Sequence, residues 1–451
     1  MKWLKLIKND VSTGTDNLPS KFIKLVYEDI CSPLTFIINS CIMKNKFPNA
    51  WKLSRVTPLP KIQNPIDVTH YRPISILPAL SKVFEKIVLE QMLEFIDQQH
   101  VYKDTLSGFR KGFSTGSLLL KLKDDIKKAM HAREISIVAL VDFSKAFDTI
   151  AHDIVIKKLH KQGFSKRFLQ WLMSYLCQRK QFVQIDEKRS SIMPTMFGVP
   201  QGSILGPVIF NLYVNDLPSI FNSKSLQYVD DTTIYESGKP NEIAVVAERL
   251  NTSLGDLSVW STSNQLAANS LKTKYLVCGT PHLLKRHNSS LSELNIKLEC
   301  NDVKEELNTK LLGIYFDNHL KWDCHIKNLI SSSYSKLSSL RKMKHFTTFH
   351  VRKRLAESLI MSRIDYNDHI YSPLTNIQIN KLQRLQLSLA SFVFGRYVSM
   401  KELLSLKWLP IIERRDYSIC RLSFKALYNT NWPVINKIQK KISNRTTRSS
   451  N

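Results

Sequence analysis

An α+β fold is what this sequence predicts, and three stretches predict it. Leu226-Gln227-Tyr228-Val229-Asp230-Asp231-Thr232-Thr233-Ile234-Tyr235 sets two adjacent carboxylates between short runs of β-branched and aromatic residues, the pattern of a tight hairpin with Asp230 and Asp231 at its bend. Ile135-Ser136-Ile137-Val138-Ala139-Leu140-Val141 is a near-continuous apolar run, which reads as a buried strand closed by Asp142. From Trp322 to about Phe394 the pattern turns helical, with many Lys, Arg and Ser on the outer face.

The chain has 451 residues, enough for two or three lobes rather than one ordinary domain. Lys and Arg number 65 against 38 Asp and Glu, a formal net charge of +27. A surplus of that size favours a polyanionic partner, nucleic acid above all. A membrane is not expected as partner, because no apolar run approaches the length of a span and no secretory signal opens the chain. The seven Cys are scattered without a C-x-x-C pair, so neither a zinc site nor a disulfide framework is indicated. An intracellular, reducing compartment fits, nucleus or cytoplasm, and no targeting signal chooses between them.

Taken in order, Met1 to Lys8 has the pattern of helix interior, and Pro19-Ser20 can open a helix running through Phe22, Ile23, Val26, Tyr27 and Ile30. A second helical segment is expected after Ser32-Pro33. Five prolines between Trp51 and Pro78 disfavour helix, so Arg55–Lys61 and Tyr71–Ile76 read as extended segments joined by a loop. Lys61 and Arg72 then stand on neighbouring strands or at their ends; taken alone they are two solvated cations of a basic protein. Ser81 to Gln99 is an amphipathic helix, and Ser114 or Thr115 can cap the next, to about Met130. After Asp142, Phe143–Asp148 is expected to turn into a helix reaching Lys161, with Gly163 beyond its end. A helix follows Ser165, and Gln181–Ile185 with Ile192–Phe197 forms a hairpin. Gly198-Val199-Pro200-Gln201-Gly202-Ser203 allows close backbone approach to another chain or a nucleotide, and Ser203 can cap the helix that follows. Beyond the Asp-Asp hairpin, Glu242–Asn264 is helical, and Tyr275–Cys278 and Leu311–Phe316 are strand-like. Ser443 to Asn451 is polar and basic, with the composition of a disordered tail.

Strands of one sheet expose their ends together, so folding can bring Asp142 beside the hairpin bend. Three carboxylates there suit two Mg²⁺ ions roughly 3.5–4 Å apart, because Mg²⁺ takes hard oxygen ligands and few protein groups. One ion would lower the pKa of a primer 3′-hydroxyl; the other would hold a nucleoside triphosphate and stabilise leaving pyrophosphate. Lys61 and Arg72 could neutralise the triphosphate.

Three of these stretches, taken together and in this order, resemble the central motifs of reverse transcriptases: Val141-Asp142-Phe143-Ser144-Lys145-Ala146-Phe147-Asp148, Gly198–Pro207 and Tyr228-Val229-Asp230-Asp231. The type resembled is the non-LTR (LINE-type) retrotransposon enzyme of the jockey and CR1 kind. Tyr71-Arg72-Pro73-Ile74-Ser75, Gly108-Phe109-Arg110-Lys111-Gly112, Asn269 with Lys272-Thr273, Leu312-Gly313-Ile314 and Trp408-Leu409-Pro410-Ile411 support it. The resemblance implies a right-hand polymerase of fingers, palm and thumb with an antiparallel palm sheet and a helical C-terminal region: fingers and connecting helices at 1–134, palm at 135–316, thumb at 317–395, and an extension at 396–451. It makes Asp142, Asp230 and Asp231 the metal triad, with the Phe143 carbonyl as a further ligand to Mg²⁺, Mn²⁺ being an alternative ion. Phe147 matches the steric gate beneath the sugar C2′, although a plain core role for its ring is the competing reading. Gln201 and Gly202 match the loop that approaches nucleotide and template, Lys61 and Arg72 the triphosphate-binding fingers positions, and Lys272 a lysine near pyrophosphate. The implied partners are an RNA template, a DNA primer or target and deoxynucleoside triphosphates; oligomeric state is left open.

The sequence departs from the family pattern at Val229, where Ala is usual, and at Phe113, where a polar residue is usual. It starts within the fingers region, with no upstream endonuclease, zinc knuckle or RNase H segment in view, which fits a truncated reading frame. Two functional classes follow: an active RNA-directed DNA polymerase, or a silent or domesticated copy that at most binds nucleic acid. A group II intron-type enzyme is a lesser alternative, as no maturase or HNH segment is recognisable.

Overall fold

The computed structural model describes residues 2–5, 13–428, 432 and 433. These form α-helices and mostly antiparallel sheets, the α+β class the sequence implies. The chain divides into two compact units, each gathered from several segments: residues 1–109, 141–232 and 252–272 in the first, and 110–140, 233–251 and 273–451 in the second.

The first unit contains a sheet built on the proline-rich stretch. Leu53–Pro60 pairs antiparallel with Tyr71–Ile76, with Leu59 opposite Arg72 and Pro60 opposite Tyr71. Proline can occupy these edge-type positions because it lacks only the donor. On its other side Leu53–Pro60 runs parallel to Arg179–Ile185, a pairing that local sequence does not announce. Arg179–Ile185 continues the sheet to Lys188–Arg189 and Met193–Thr195, the expected hairpin in a broken form. Behind it the Ala79–Gln98 helix buries Val83, Phe84, Val88, Met92 and Ile96. Phe47, Phe84, Trp171 and Tyr175 meet there ring to ring, with centroids 5.0–5.9 Å apart. Edge-to-face and offset contacts of this kind add to the area they bury.

In the second unit Ile135–Val141 is a strand with the expected bounds, paired antiparallel with Lys274–Cys278 in the register Ser136 to Cys278 and Leu140 to Lys274. Its apolar side chains from Ile135 to Ala139 are at most 2% exposed, which is why the run carries no polar alternation. The second unit also holds the helices Asp323–Lys342, Phe349–Ala356 and Asn376–Phe394. The Ile411–Tyr428 helix is pinned to a neighbouring segment: Arg414 grips the Asp365 carboxylate at 2.5 Å through two nitrogens, and buried Arg415 donates to the carbonyls of Asp368 and Tyr371. Trp408 donates its indole N–H to Glu357 at 2.8 Å. Phe113 is explained by its neighbour, because the Arg110 guanidinium lies 4.1 Å over its ring.

Several expectations are corrected. Pro33 does not separate two helices; Tyr27–Met43 is continuous through it. Residues 143–151 are not helical: Phe143 forms a bridge, 144–148 turn, and helix begins only at His152. The backbone there is engaged elsewhere: Ser144 N–H donates to Ala267, and the Phe147 and Ile150 carbonyls accept from Val199 and Gly198. Leu311–Phe316 is not one strand but the two sides of a hairpin, Asn308–Leu311 and Ile314–Asp317, turning at Leu312-Gly313. Of the helix expected over Met1 to Lys8 only Lys2–Lys5 falls within the described residues, and the tail from Ser443 lies outside them. Among the described residues no helix is long and apolar enough to cross a membrane.

Candidate active site

Every residue singled out above lies in the first unit: Lys61, Arg72, Asp142, Phe143, Phe147, Gln201, Gly202, Asp230, Asp231 and Lys272. The site is built from two rigid pieces. One is the end of the Ile135–Val141 strand. Beyond it Asp142 and Phe143 are clamped to the 267–269 segment, with Asn269 N–H donating to Asp142 O at 2.7 Å and Phe143 bridging Ala268. The other is the bend after Lys224–Tyr228. The turn residues are Val229 and Asp230, while Asp231 already belongs to the returning strand Asp231–Gly238. The bend therefore carries one carboxylate at its tip and one a residue later, rather than both.

The tip is held by a segment the sequence left without a role. Gln227 N–H donates to Thr105 O at 3.0 Å, Ser107 N–H donates to Gln227 O at 2.8 Å, and buried Asn211 donates to Gly108 O. Val229, 7% exposed, fills the space at Gly108 that a side chain would take. A Cβ on Gly108 would stand 2.5 Å from Val229 Cγ2. The departure from Ala at this position thus has its counterpart in a glycine.

The three carboxylates feel one another. Asp231 is pushed up to about 6 by burial first, and then by the negative charges of Asp230 and Asp142. Burial, and beyond it Asp142, pushes Asp230 up against its own backbone amide and the Arg72 guanidinium. Half-buried acids such as Asp230 and Asp231, raised by burial and by a neighbouring carboxylate, are short of positive charge. Lys272 supplies part of it, its Nζ 3.4 Å from Asp142 Oδ2, although this exposed ammonium is a weak counterion. Among the described residues no three Asp, Glu, His or Cys side chains stand close enough together to hold an ion as they are. The donor set itself is that of a hard divalent cation: carboxylate oxygens on the ends of fixed strands, with unrelieved repulsion.

Around this acidic centre the cations Lys61 and Arg72 are exposed, and their charge reaches it. Arg72 favours the ionised form of Asp230 and Lys61 that of Asp148, although the Lys61 ammonium also donates to Thr69 O at 3.0 Å within its own loop. Phe147 is half-buried and stacked on the fully buried Phe210, ring centroids 4.7 Å apart at 25°. Its backbone is tied to the glycine-rich loop through Val199 N–H at 2.9 Å. In that loop Gln201 Nε2 donates to both oxygens of Asp148, at 2.8 and 3.0 Å, and Gln201 O accepts from Ser75 N–H at 2.7 Å. Gly202 has φ +122°, and a Cβ there would stand 2.5 Å from Ser75 O, so glycine is required on both counts. Sequence reasoning assigned no role to Asp148, although it stands at the end of a quoted motif, nor to Gly108.

Comparison with known proteins names the class of chain that carries this arrangement. The family model for reverse transcriptase (RNA-dependent DNA polymerase) matches residues 59–316, more than half of the chain, and the chain belongs to that family. Among similar proteins is the RNA-directed DNA polymerase from mobile element jockey of Drosophila melanogaster, 26% identical over 385 residues, 83% of this chain and 41% of the relative. The probable RNA-directed DNA polymerase from transposon BS, also of Drosophila melanogaster, is 28% identical over 388 residues, 83% of this chain and 42% of its own length. The chain thus spans about two fifths of the length of these relatives. Among solved structures, a Candida albicans telomerase with a telomeric RNA fragment aligns over 90% of this chain and 65% of its own, at 11% identity and a TM-score of 0.45.

Proposed function

We propose that this chain extends a DNA primer on an RNA template, as the polymerase of a non-LTR retrotransposon. The observation that carries the reading is the meeting of Asp142, Asp230 and Asp231 in one electrostatic neighbourhood, at the strand end and hairpin bend of a reverse transcriptase family member. Asp142, Asp230 and Asp231, with the Phe143 carbonyl, would hold Mg²⁺. Bound there, the ions would lower the pKa of the primer hydroxyl and offset charge on the departing pyrophosphate. The remaining residues orient the substrate. Arg72 and Lys61, exposed beside the acidic centre, meet the triphosphate, and Lys272 faces its pyrophosphate end. The loop at Gln201 and Gly202 sets the height of the nucleotide. The Phe147 ring, held flat on Phe210, occupies the space a ribose 2′-hydroxyl needs. Residues 1–134, 135–316 and 317–395 serve as fingers, palm and thumb, and the basic helices after Trp322 track the template–primer backbone.

The test is primer extension by the purified chain on poly(rA)/oligo(dT) with Mg²⁺, followed by Phe147→Val. The parent should add dTTP, and the variant should fold and lose at least ~10-fold of its preference in kcat/KM for dTTP over UTP. A folded parent that adds nothing is the outcome of a silent copy. An unchanged ratio in an active variant would return Phe147 to the core.

A further inference from the structure

The loop that carries Gln201 is anchored from beneath by a group far from any substrate. Glu85 lies on the Ala79–Gln98 helix, beside the apolar stripe of Phe84 and Val88, and is 0% exposed. Its Oε2 accepts the backbone N–H of Ile204 at 2.7 Å and of Leu205 at 3.3 Å, and its Oε1 accepts the Ser81 hydroxyl at 3.2 Å. Burial pushes its pKa up. The Ile204 amide, the Arg179 guanidinium, the Leu205 amide and Ser81 all act the other way. Arg179 is itself buried, 3% exposed, and is held by Tyr175 O at 2.9 Å. Two of these contacts come from backbone amides, which can only donate, so the oxygen they share must accept.

A charge is an expensive way to fill a helix face against a core, since Leu would pack there without desolvation. Leu would, however, strand two amides of a loop that has no strand or helix partner at that point. What those amides fix is Gln201, three residues before Ile204. Gln201 is joined by its carbonyl to Ser75, on the strand that also bears Arg72. That strand leads through Leu77-Pro78 into the helix of Glu85. Glu85 thus closes a circuit: strand of Arg72, helix of Glu85, loop of Gln201, and back to the strand. Asp148 completes it from the other side by holding the Gln201 amide group.

We propose that Glu85 is a positioning residue for the incoming nucleotide, acting through the Gln201 loop, and this rests on the polymerase reading above. It touches neither substrate nor metal. It sets the distance between the cation that meets the triphosphate and the amide that meets the rest of the nucleotide.

The experiment is steady-state dTTP incorporation on poly(rA)/oligo(dT) by the parent, Glu85→Gln, Gln201→Ala and the double variant. Glu85→Gln keeps the shape but leaves one acceptor oxygen where the carboxylate offers two, and removes the charge that faces Arg179. It should raise KM for dTTP by ~10-fold or more, with kcat within ~3-fold and template–primer Kd unchanged. On the Gln201→Ala background the same change should raise KM by less than ~2-fold, because the residue it acts through is gone. Equal KM effects on both backgrounds, or a KM unchanged in a folded enzyme, would overturn the proposal. If Glu85→Gln does not fold, Glu85→Asp keeps the charge and withdraws it by one methylene. The same KM rise is expected, and an unchanged KM again refutes the idea. An inactive parent would instead sink the polymerase reading itself, a result distinct from every one of these.

Discussion

Of the hairpins that turn on two residues among the described residues, two can be set side by side because they turn by different means. At Leu312-Gly313 both residues have positive φ, +45° and +89°, the signature of a type I′ turn with glycine where glycine is at ease. At Val229-Asp230 only the first φ is positive, +60°, the sign pattern of type II′, whose first position normally belongs to glycine. A β-branched residue in that conformation is an outlier and costs ~1–3 kcal/mol. The strained turn is the one that bears the carboxylates. The other is braced by the Tyr366 hydroxyl donating to Leu312 O at 2.9 Å. Strain persists where the surroundings over-determine the backbone, and around Val229 they do: Gly108, Gln227 and Asn211 leave the tip one position to occupy. The comparison implies that the turn at Val229 is held for chemistry and the turn at Gly313 for shape.

The contrast can be broken most forcefully at Asp230. Asp230→Asn should lower primer extension by at least ~10³-fold, while Tm stays level or rises, because a carboxyl whose pKa is raised by burial and by Asp142 destabilises the fold when ionised. Activity within ~10-fold of the parent would require a different ligand set. Next is Gly108→Ala, whose new Cβ must push Val229 aside. Displacing the tip by about an ångström should cost ~10²-fold in extension rate with template–primer affinity retained. Loss of affinity in proportion would mean that the tip is a binding element instead.

The second unit holds a buried charge of the opposite sign. Lys123 is 7% exposed, donates to His369 O at 3.0 Å, and is pushed down to about 8, by burial first and then by Lys127. An ammonium with a depressed folded pKa destabilises fully below about 8, and the penalty fades as pH rises toward the unfolded value of 10.5. The unfolding free energy of the parent relative to Lys123→Met should therefore improve by about 2–3 kcal/mol between pH 7 and 10.5, read by urea titration. A flat difference would show that the ammonium is solvated. The smallest effect is expected at the relaxed turn. Gly313→Ala should cost ~1 kcal/mol, from positive φ and a Tyr366 ring carbon 3.0 Å from the added Cβ, with extension by the folded protein preserved. A loss of activity as deep as that of Gly108→Ala would erase the distinction between the turns.

What could be read in the sequence was whatever depends on near neighbours. The apolar run 135–141 and the prolines of 58–78 each fix a local conformation that is found as expected, whereas of the acids at 230–231 only Asp230 sits in the bend. Residues 143–151 misled because their propensity is helical while their backbone groups are consumed by a loop fifty positions away. Glu85 and Asp148 were missed for a related reason, since each serves a residue distant in sequence. The one trace of Glu85 was an acid placed, with Ser81 four residues before it, along the buried side of a helix. Val229 was noticed as a departure, but only the packing shows that Gly108 makes room for it.

The parallel pairing of Leu53–Pro60 with Arg179–Ile185 has a consequence for the life of the chain before it is an enzyme. Ser54 and Lys180 lie 126 residues apart. At ~5–20 residues per second of synthesis, the first strand waits roughly 6–25 s for the second to emerge. Through that interval it has Tyr71–Ile76 on one side and an unclaimed edge on the other, with Val56 bare that will end 3% exposed. Parallel pairs of long sequence separation are slow to close in any case. The nascent Leu53–Ile76 hairpin is thus the part of this protein most dependent on chaperone cover, and the place where overproduction should first show itself as aggregate.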